Sequence, residues 1–327
     1  MYFLKIIFLS LLIVLGAAVI VFQPAPKTVY FFPGFFDIKD TPEVFFYGEN
    51  LSQKCREKGF KLKVTRNLKN LKDVRKIIIF DLEGFNKKEL SKYHESKLVL
   101  FLFEPPTTVP KNFKKKNHKY FSKIFTWDDS LIDGKKYFKF YYPELQAIKK
   151  DIKPFPEKKL ITMIARNKAS KNTNELYSRR IETIRFFEKA LPEDFDFYGE
   201  GWDQAGFVTY KGRIGSKEIL RNYKFVFCYE NTQKIQGYIT EKIFDSFSFG
   251  CVPVYLGAEN IEKYIPENCF IDLREFQNYS ELLKFLKNIS EEEYEKYLKA
   301  IKSFIKSSEA ENFSPSHFIK VFDQAIE

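Results

Sequence analysis

Histidine is scarce in this chain, with three among 327 residues, and the four cysteines stand far apart at Cys55, Cys228, Cys251 and Cys269. No pair has the C-x-x-C spacing and the histidines are widely separated, so no zinc site or other metal centre is expected. Long polar low-complexity tracts and internal repeats are missing as well. With 44% hydrophobic and 18% aromatic residues the chain buries a sizeable core, which excludes a disordered protein. Nor is positive charge gathered in one place. The net charge is +11, yet lysine and arginine are spread along the whole length, and no helix face or arm collects them. Runs such as "KNFKKKNHK" (111–119) read as solvated loops. A nucleic-acid partner is therefore not expected, and the charge leaves only a mild preference for anionic ligands.

One long apolar run is present. From Tyr2 to Phe22 only Lys5 interrupts it. That length spans a bilayer, and although "GAA" at 16–18 mimics a cleavage site, apolar residues continue past it. An uncleaved transmembrane signal anchor is expected over residues 1–23, followed by a short stiff tether, "QPAPK". Sequons at Asn50, Asn278, Asn288 and Asn312 suit a lumenal domain.

Beyond the anchor, apolar runs recur in "TVYFFPGFF", "KIIIFDL" (76–82) and "KLVLFLF" (97–103), with "KKELSKYHES" between the last two as a surface helix. Continuous rather than alternating apolar runs predict strands covered on both faces. The charged, proline-bearing stretch at 146–159 marks a domain boundary. A second series follows: strand "LITMIA", a helix over 174–191, strand "FDFYG", helix "SKEILRNYK", strand "FVFCYEN", helix "TEKIFDSFSF" and strand "CVPVYLG". In the last of these helices Ile243, Phe244 and Phe247 share a face and Gly250 ends it. The fold class is α/β: two Rossmann-like doubly wound domains, 24–152 and 153–327, with a ligand in the cleft between them.

Ligands gather at the carboxyl ends of strands in such sheets. Glu230 and Asn231 emerge at such an end, Thr240 reads as an N-cap, and Glu241 and Lys242 fall in the first helical turn, where a diphosphate is favoured. Asn167 and Lys168 reach the same edge, with Arg179 or Arg180 beyond them. Glu104, held between an apolar run and two prolines, is a candidate general base. Two acidic stretches have structural readings: "TWDDS" (126–130), and "DFD" (194–196), which sits in a strand rather than in a metal-binding loop.

The segment "FVFCYENTQKIQGYITEKIFDSFSFGCVPVYLG" resembles the signature of the α1,3/4-fucosyltransferases, with its acidic-Asn pair, Gly-Tyr-x-Thr-Glu-Lys and Gly-x-x-Pro-Val-Tyr-x-Gly. The likeness extends over roughly residues 95–275. It implies a GT-B architecture holding GDP-fucose in the C-terminal domain. Asn231, Tyr238, Glu241 and Lys242 would contact the donor, Arg180 (or adjacent Arg179) its diphosphate, and Glu104 would be the base. No metal or other cofactor is implied. Where the family reads Glu-Ser-Pro this chain reads Glu-Pro-Pro, which alters the loop after the acid.

The resulting expectation is an inverting transferase moving L-fucose to a GlcNAc-type hydroxyl, at the 3-position. The alternatives are a related transferase for core N-glycan GlcNAc or a glucose-containing glycan, and an inactive glycan-binding protein on the same fold. A eukaryotic host implies a type II Golgi protein with a lumenal catalytic domain. A bacterial host implies association with the inner membrane.

Overall fold

The apolar runs form two parallel sheets in the computed structural model of the chain. It describes residues 26–34, 49–85 and 87–327, with the backbone of the short strands Val14–Leu15, Ala18–Val19 and Phe45–Phe46. The first sheet contains β1 (Thr28–Phe32), β2 (Lys61–Val64), β3 (Val74–Phe80), β4 (Leu98–Leu102), β5 (Lys123–Thr126) and β6 (Tyr137–Lys139), in the order β6-β5-β4-β3-β1-β2. The second contains β7 (Lys159–Ile164), β8 (Phe195–Tyr198), β9 (Tyr223–Tyr229), β10 (Val252–Leu256) and β11 (Ile271–Asp272), in the order β8-β7-β9-β10-β11. Every pairing within each sheet is parallel. In both, the strand order reverses beside the first strand, which opens a crevice at the carboxyl ends of β1 and β3 and of β7 and β9.

The strands are apolar throughout because both faces are covered. Ile78, Phe80, Phe101 and Phe103 enter one core, while Ile77, Ile79, Leu98 and Leu100 enter the other, as a two-residue repeat requires. Helices α1 (Leu51–Glu57), α2 (Tyr177–Ala190), α3 (Glu241–Ser248), α4 (Tyr279–Asn288), α5 (Glu291–Ile305) and α6 (Pro315–Ile326) supply much of that cover. Helix α6 returns to the first sheet, and Phe318, Ile319 and Phe322 are buried against Val29, Phe31 and Phe80. Each such side chain contributes roughly 1.5–3 kcal/mol of burial. In α3, Ile243, Phe244 and Phe247 are all buried, and the chain leaves the helix through Gly250 at φ +61°.

Three elements differ from the sequence expectation. "KKELSKYHES" forms only the single turn Lys87–Leu90, because Leu90 alone in that turn is buried and no apolar face sustains more. "SKEILRNYK" is a 3-10 turn over Lys217–Asn222, opened by Ser216 accepting from the Glu218 N–H. Helix α2 starts at Tyr177 rather than 174: Glu175 bridges to Thr232 and its carboxylate accepts the Tyr177 and Ser178 N–H groups.

Most of the expected anchor, residues 1–23, lies outside the described residues. Within it Val14–Leu15 and Ala18–Val19 pair as short antiparallel strands. Among the described residues no helix is long and apolar enough to cross a membrane. All four cysteines are buried and free.

Candidate active site

The organising group is Glu230, the residue after β9, which is shielded completely from solvent. One of its oxygens accepts the Thr240 N–H at 2.9 Å, and the other accepts the Thr240 hydroxyl at 2.7 Å and Lys242 Nζ at 3.0 Å. Thr240 does occupy the N-cap position of α3, but its side chain makes no capping bond to the helix, having been drawn to Glu230. Lys242 also donates to Thr240 Oγ1 at 2.8 Å and lies 3.3 Å from Glu241. Burial pushes the Lys242 ammonium down, but Glu230 and Glu241 outweigh it and hold it above its usual range. Burial likewise raises the Glu241 carboxyl, and Lys242 and Lys217 reverse this, bringing it to about 2. The helix N-terminus therefore carries a fixed cation and a fixed anion side by side.

The loop before α3 is pressed against the first sheet. Gly237 has φ +79° and donates its N–H to Asn260 at 2.9 Å; a Cβ there would meet the Trp127 carbonyl oxygen at 2.4 Å. Tyr238 packs its ring 4.5 Å from Trp127 and 6.0 Å from Tyr142, measured between centroids. It belongs to the core beneath the first sheet, and is not among the residues lining the cleft described next.

A cleft of ≈ 320 Å³ opens at the carboxyl ends of β7 and β9. Arg180, Asn231, Glu241 and Lys242 all line it, so four of the expected donor residues come together. Arg180 is almost wholly buried, and its Nη2 donates to the Tyr229 and Glu230 carbonyls at 2.9 and 2.8 Å and to Asn231 Oδ1 at 3.1 Å. Its Nε and Nη1 take no protein acceptor among the described residues, which leaves N–H donors for an anion. Arg179 points elsewhere, pairing with Glu182 at 3.0 Å on the exposed side of α2. Lys168, Arg166, Arg213 and Lys217 add further positive charge to the walls, against the carboxylates of Glu200 and Glu241. The last three basic residues were not anticipated. Arg166 follows a strand and was legible by the rule that selected Asn167; Arg213 lies in an irregular segment, and Lys217 opens the 3-10 turn Lys217–Asn222, which follows no strand end.

Glu104 follows β4 at the carboxyl edge of the first sheet, within electrostatic reach of Lys242, Glu241 and Lys168. Burial raises its carboxyl above the ordinary range, opposed by Lys242, nearby Thr108 and Lys168. Its buried Oε2 has no hydrogen-bond partner among the described residues. A half-desolvated carboxylate with a free oxygen is suited to taking a proton. Beyond it the chain turns tightly, with the Thr108 and Val109 N–H groups both bonded to the Pro105 carbonyl at 2.9 Å.

The other acidic stretches are held in internal networks. Asp128 caps a 3-10 turn through the Ser130 N–H. Asp129 pairs with Lys139 at 2.6 Å and accepts from Asn260 at 2.9 Å and Tyr264 at 2.5 Å, tying the two halves together. In "DFD", Asp196 is held by Lys159 at 2.9 Å, Lys211 at 3.4 Å and the Tyr223 hydroxyl at 2.7 Å. Among the described residues no group of three acidic, histidine or cysteine side chains is arranged to hold a metal.

The structure therefore has two doubly wound parallel sheets and a cationic cleft at the switch point of the second. The family model described as glycosyltransferase family 10 (fucosyltransferase), C-terminal part, matches residues 156–320, half of the chain. The chain belongs to that family. It is similar to the α-(1,3)-fucosyltransferase FucT of Helicobacter pylori, with 37% identity over 70 residues, 21% of this chain and 14% of that protein. It is also similar to an α-(1,4)-fucosyltransferase of Arabidopsis thaliana, with 36% identity over 73 residues, 22% of this chain and 18% of that protein. The chain thus spans under a fifth of the length of these relatives. A solved structure of an α1,3-fucosyltransferase with GDP-fucose shares the fold at a TM-score of 0.53 and 17% identity, over 93% of this chain and 91% of that one.

Proposed function

We propose that this protein is an inverting fucosyltransferase that moves L-fucose from GDP-fucose to a GlcNAc-type hydroxyl of a glycan, at the 3-position. The observation that carries this reading is the convergence of buried Arg180, Asn231, Lys242 and the uncapped start of α3 on one cleft, with Glu104 across from them. The diphosphate of the donor lies along Lys242, the remaining N–H donors of Arg180 and the first N–H groups of α3. Tyr238 acts from beneath, fixing the loop rather than lining the cleft. The acceptor hydroxyl gives its proton to Glu104 as its oxygen attacks the anomeric carbon. The bond from that carbon to the phosphate oxygen breaks, and its electron pair leaves on GDP. Glu241 faces the positive charge that develops on the sugar. These charges come from side chains and backbone, so the reading requires no metal.

The two sheets support a division into an acceptor unit and a donor unit joined near residues 146–159. The apolar segment 2–22 supports attachment to a membrane ahead of the acceptor unit, as a type II Golgi protein in a eukaryotic host or at the inner membrane of a bacterium.

The test is to incubate the protein with GDP-fucose and N-acetyllactosamine, with and without EDTA, and identify the product by mass and linkage. A 3-fucosylated product that persists in EDTA supports the reading. Loss of activity in EDTA would bring Asp194 and Asp196 back as a metal site. GDP release without transfer would redirect the acceptor to core N-glycan GlcNAc or a glucose-containing glycan. Failure to bind GDP-fucose would leave an inactive glycan-binding protein.

A further inference from the structure

The ladder of β4 ends at Leu102, yet all four backbone polar groups of the next two residues, Phe103 and Glu104, are held by side chains. Asp81 Oδ1 accepts both N–H groups, from Phe103 at 2.9 Å and from Glu104 at 3.1 Å. The Phe103 carbonyl accepts from Trp127 Nε1 at 2.8 Å and from the Tyr142 hydroxyl. The Glu104 carbonyl accepts from Asn112 Nδ2 at 3.1 Å, and the same amide donates to Asp81 Oδ1 at 2.6 Å. Asn112 is itself fixed, its Oδ1 accepting the Leu82 N–H at 2.8 Å and its backbone carbonyl bonded to His118 Nε2 at 2.5 Å. Pro105, next in line, has no N–H to place.

Asp81 is an expensive residue to keep in this position. It follows β3 with φ +62°, a left-handed conformation that costs an L-residue about 1–2 kcal/mol. It is 1% exposed, and among the described residues no cation pairs with it and its buried Oδ2 has no hydrogen-bond partner. Burial and the neighbouring Glu104 raise its carboxyl well above the ordinary range. Strain and an unpaired buried acid gathered around one peptide are the marks of a functional site rather than of a core.

We propose that Asp81 is a positioning residue for Glu104: with Asn112 it clamps the Phe103–Glu104 backbone and sets where the Glu104 carboxylate stands relative to Lys242 and Glu241. The proposal rests on reading Glu104 as the general base. Displacing such a group by an ångström costs about 100-fold in rate without weakening the donor site, which is built on the other sheet.

The experiment measures kcat and KM on the full chain with GDP-fucose and N-acetyllactosamine, and GDP affinity by calorimetry. Asp81→Ala and Asn112→Ala are each expected to lower kcat about 100-fold while KM for GDP-fucose and the Kd of GDP stay within about twofold. Asp81→Asn keeps an oxygen at the Oδ1 position and is expected to recover most of the loss. The Asp81→Ala, Asn112→Ala double variant is expected to lose little more than either single one, because both act on the same peptide.

Wild-type kcat in folded Asp81→Ala, GDP affinity falling in step with kcat, or Asp81→Asn as slow as Asp81→Ala would each overturn the clamp. If Asp81→Ala does not fold, Asn112→Ala decides, and wild-type kcat there overturns it. Glu104→Gln separates the two readings. Retained transfer in that variant removes the base assignment and the clamp with it. An inactive Glu104→Gln with intact GDP binding, beside unimpaired Asp81 and Asn112 variants, refutes the clamp alone.

Discussion

The ammonium of Lys242 lies 3.0 Å from a carboxylate oxygen of Glu230 that water does not reach, so the cation at the start of α3 is anchored from inside the protein. Lys242 accordingly has two functions, neutralising Glu230 and facing the cleft. Lys242→Met strands the buried charge and is expected to cost about 3–5 kcal/mol of stability. Adding Glu230→Gln restores most of that stability without restoring donor binding. Urea denaturation and GDP calorimetry on the single and double variants separate the two roles; equal recovery of both would show that Lys242 is structural only.

Glu104→Gln keeps the size of the side chain and removes its basicity. Transfer is expected to fall by about 10²–10⁴-fold, the usual contribution of a positioned base. GDP affinity should stay within twofold, because Arg180, Asn231 and Lys242 are untouched. Steady-state transfer rates beside GDP titrations check this, and a parallel loss of affinity would place Glu104 in the donor site.

The two perturbed carboxyls act on stability in opposite directions with pH. Glu241 is brought down to about 2 in the folded chain, so its stabilisation is complete above its unfolded value near 4.5 and is lost as pH falls toward 2. Asp81 is pushed up to about 8 by burial and then by Glu104, so its favourable contribution is complete below about 3.8 and is lost as pH rises through 8. Asp81→Asn is therefore expected to be more stable than wild type at pH 9 and equal to it at pH 3.5. Urea midpoints at the two pH values test the sign, and a gap that widens on acidification would reverse it.

Asp129 joins the halves by bonding Lys139 on one side and Asn260 and Tyr264 on the other. Asp129→Ala is expected to cost about 1.5–3 kcal/mol, the range for hydrogen bonds to a charged group. It should also split thermal unfolding into two transitions, as the sheets lose a shared tie. Differential scanning calorimetry gives the answer, and a single transition at the wild-type temperature would remove Asp129 from that role.

The strands of both sheets were legible because burial on two faces leaves unbroken apolar runs, and "KIIIFDL" and "KLVLFLF" are cases in point. The strand-end rule then located Glu104, Asn231 and the start of α3. Applied evenly, the same rule also selects Asp81, which follows "KIIIF" as Glu104 follows "KLVLFLF"; what hid Asp81 was that its partners Phe103, Glu104 and Asn112 come from later segments. Thr240 stands at the N-cap as expected, and only the partner of its hydroxyl was hidden. A Thr before Glu-Lys looks like a helix cap, and only the fold brings Glu230 close enough to take its hydroxyl. Arg213 reaches the cleft from an irregular segment and Lys217 from the start of a 3-10 turn, where no strand end gives a direction.

The return of α6 to the first sheet orders events during synthesis. Strands β1 to β6 leave the ribosome long before residues 315–326, yet part of the cover over Phe31 and Phe80 arrives only with Phe318 and Phe322. The half carrying Glu104 is made first and completed last. Without residues 315–326 the aromatic side chains on that face of the first sheet would be left more open to water.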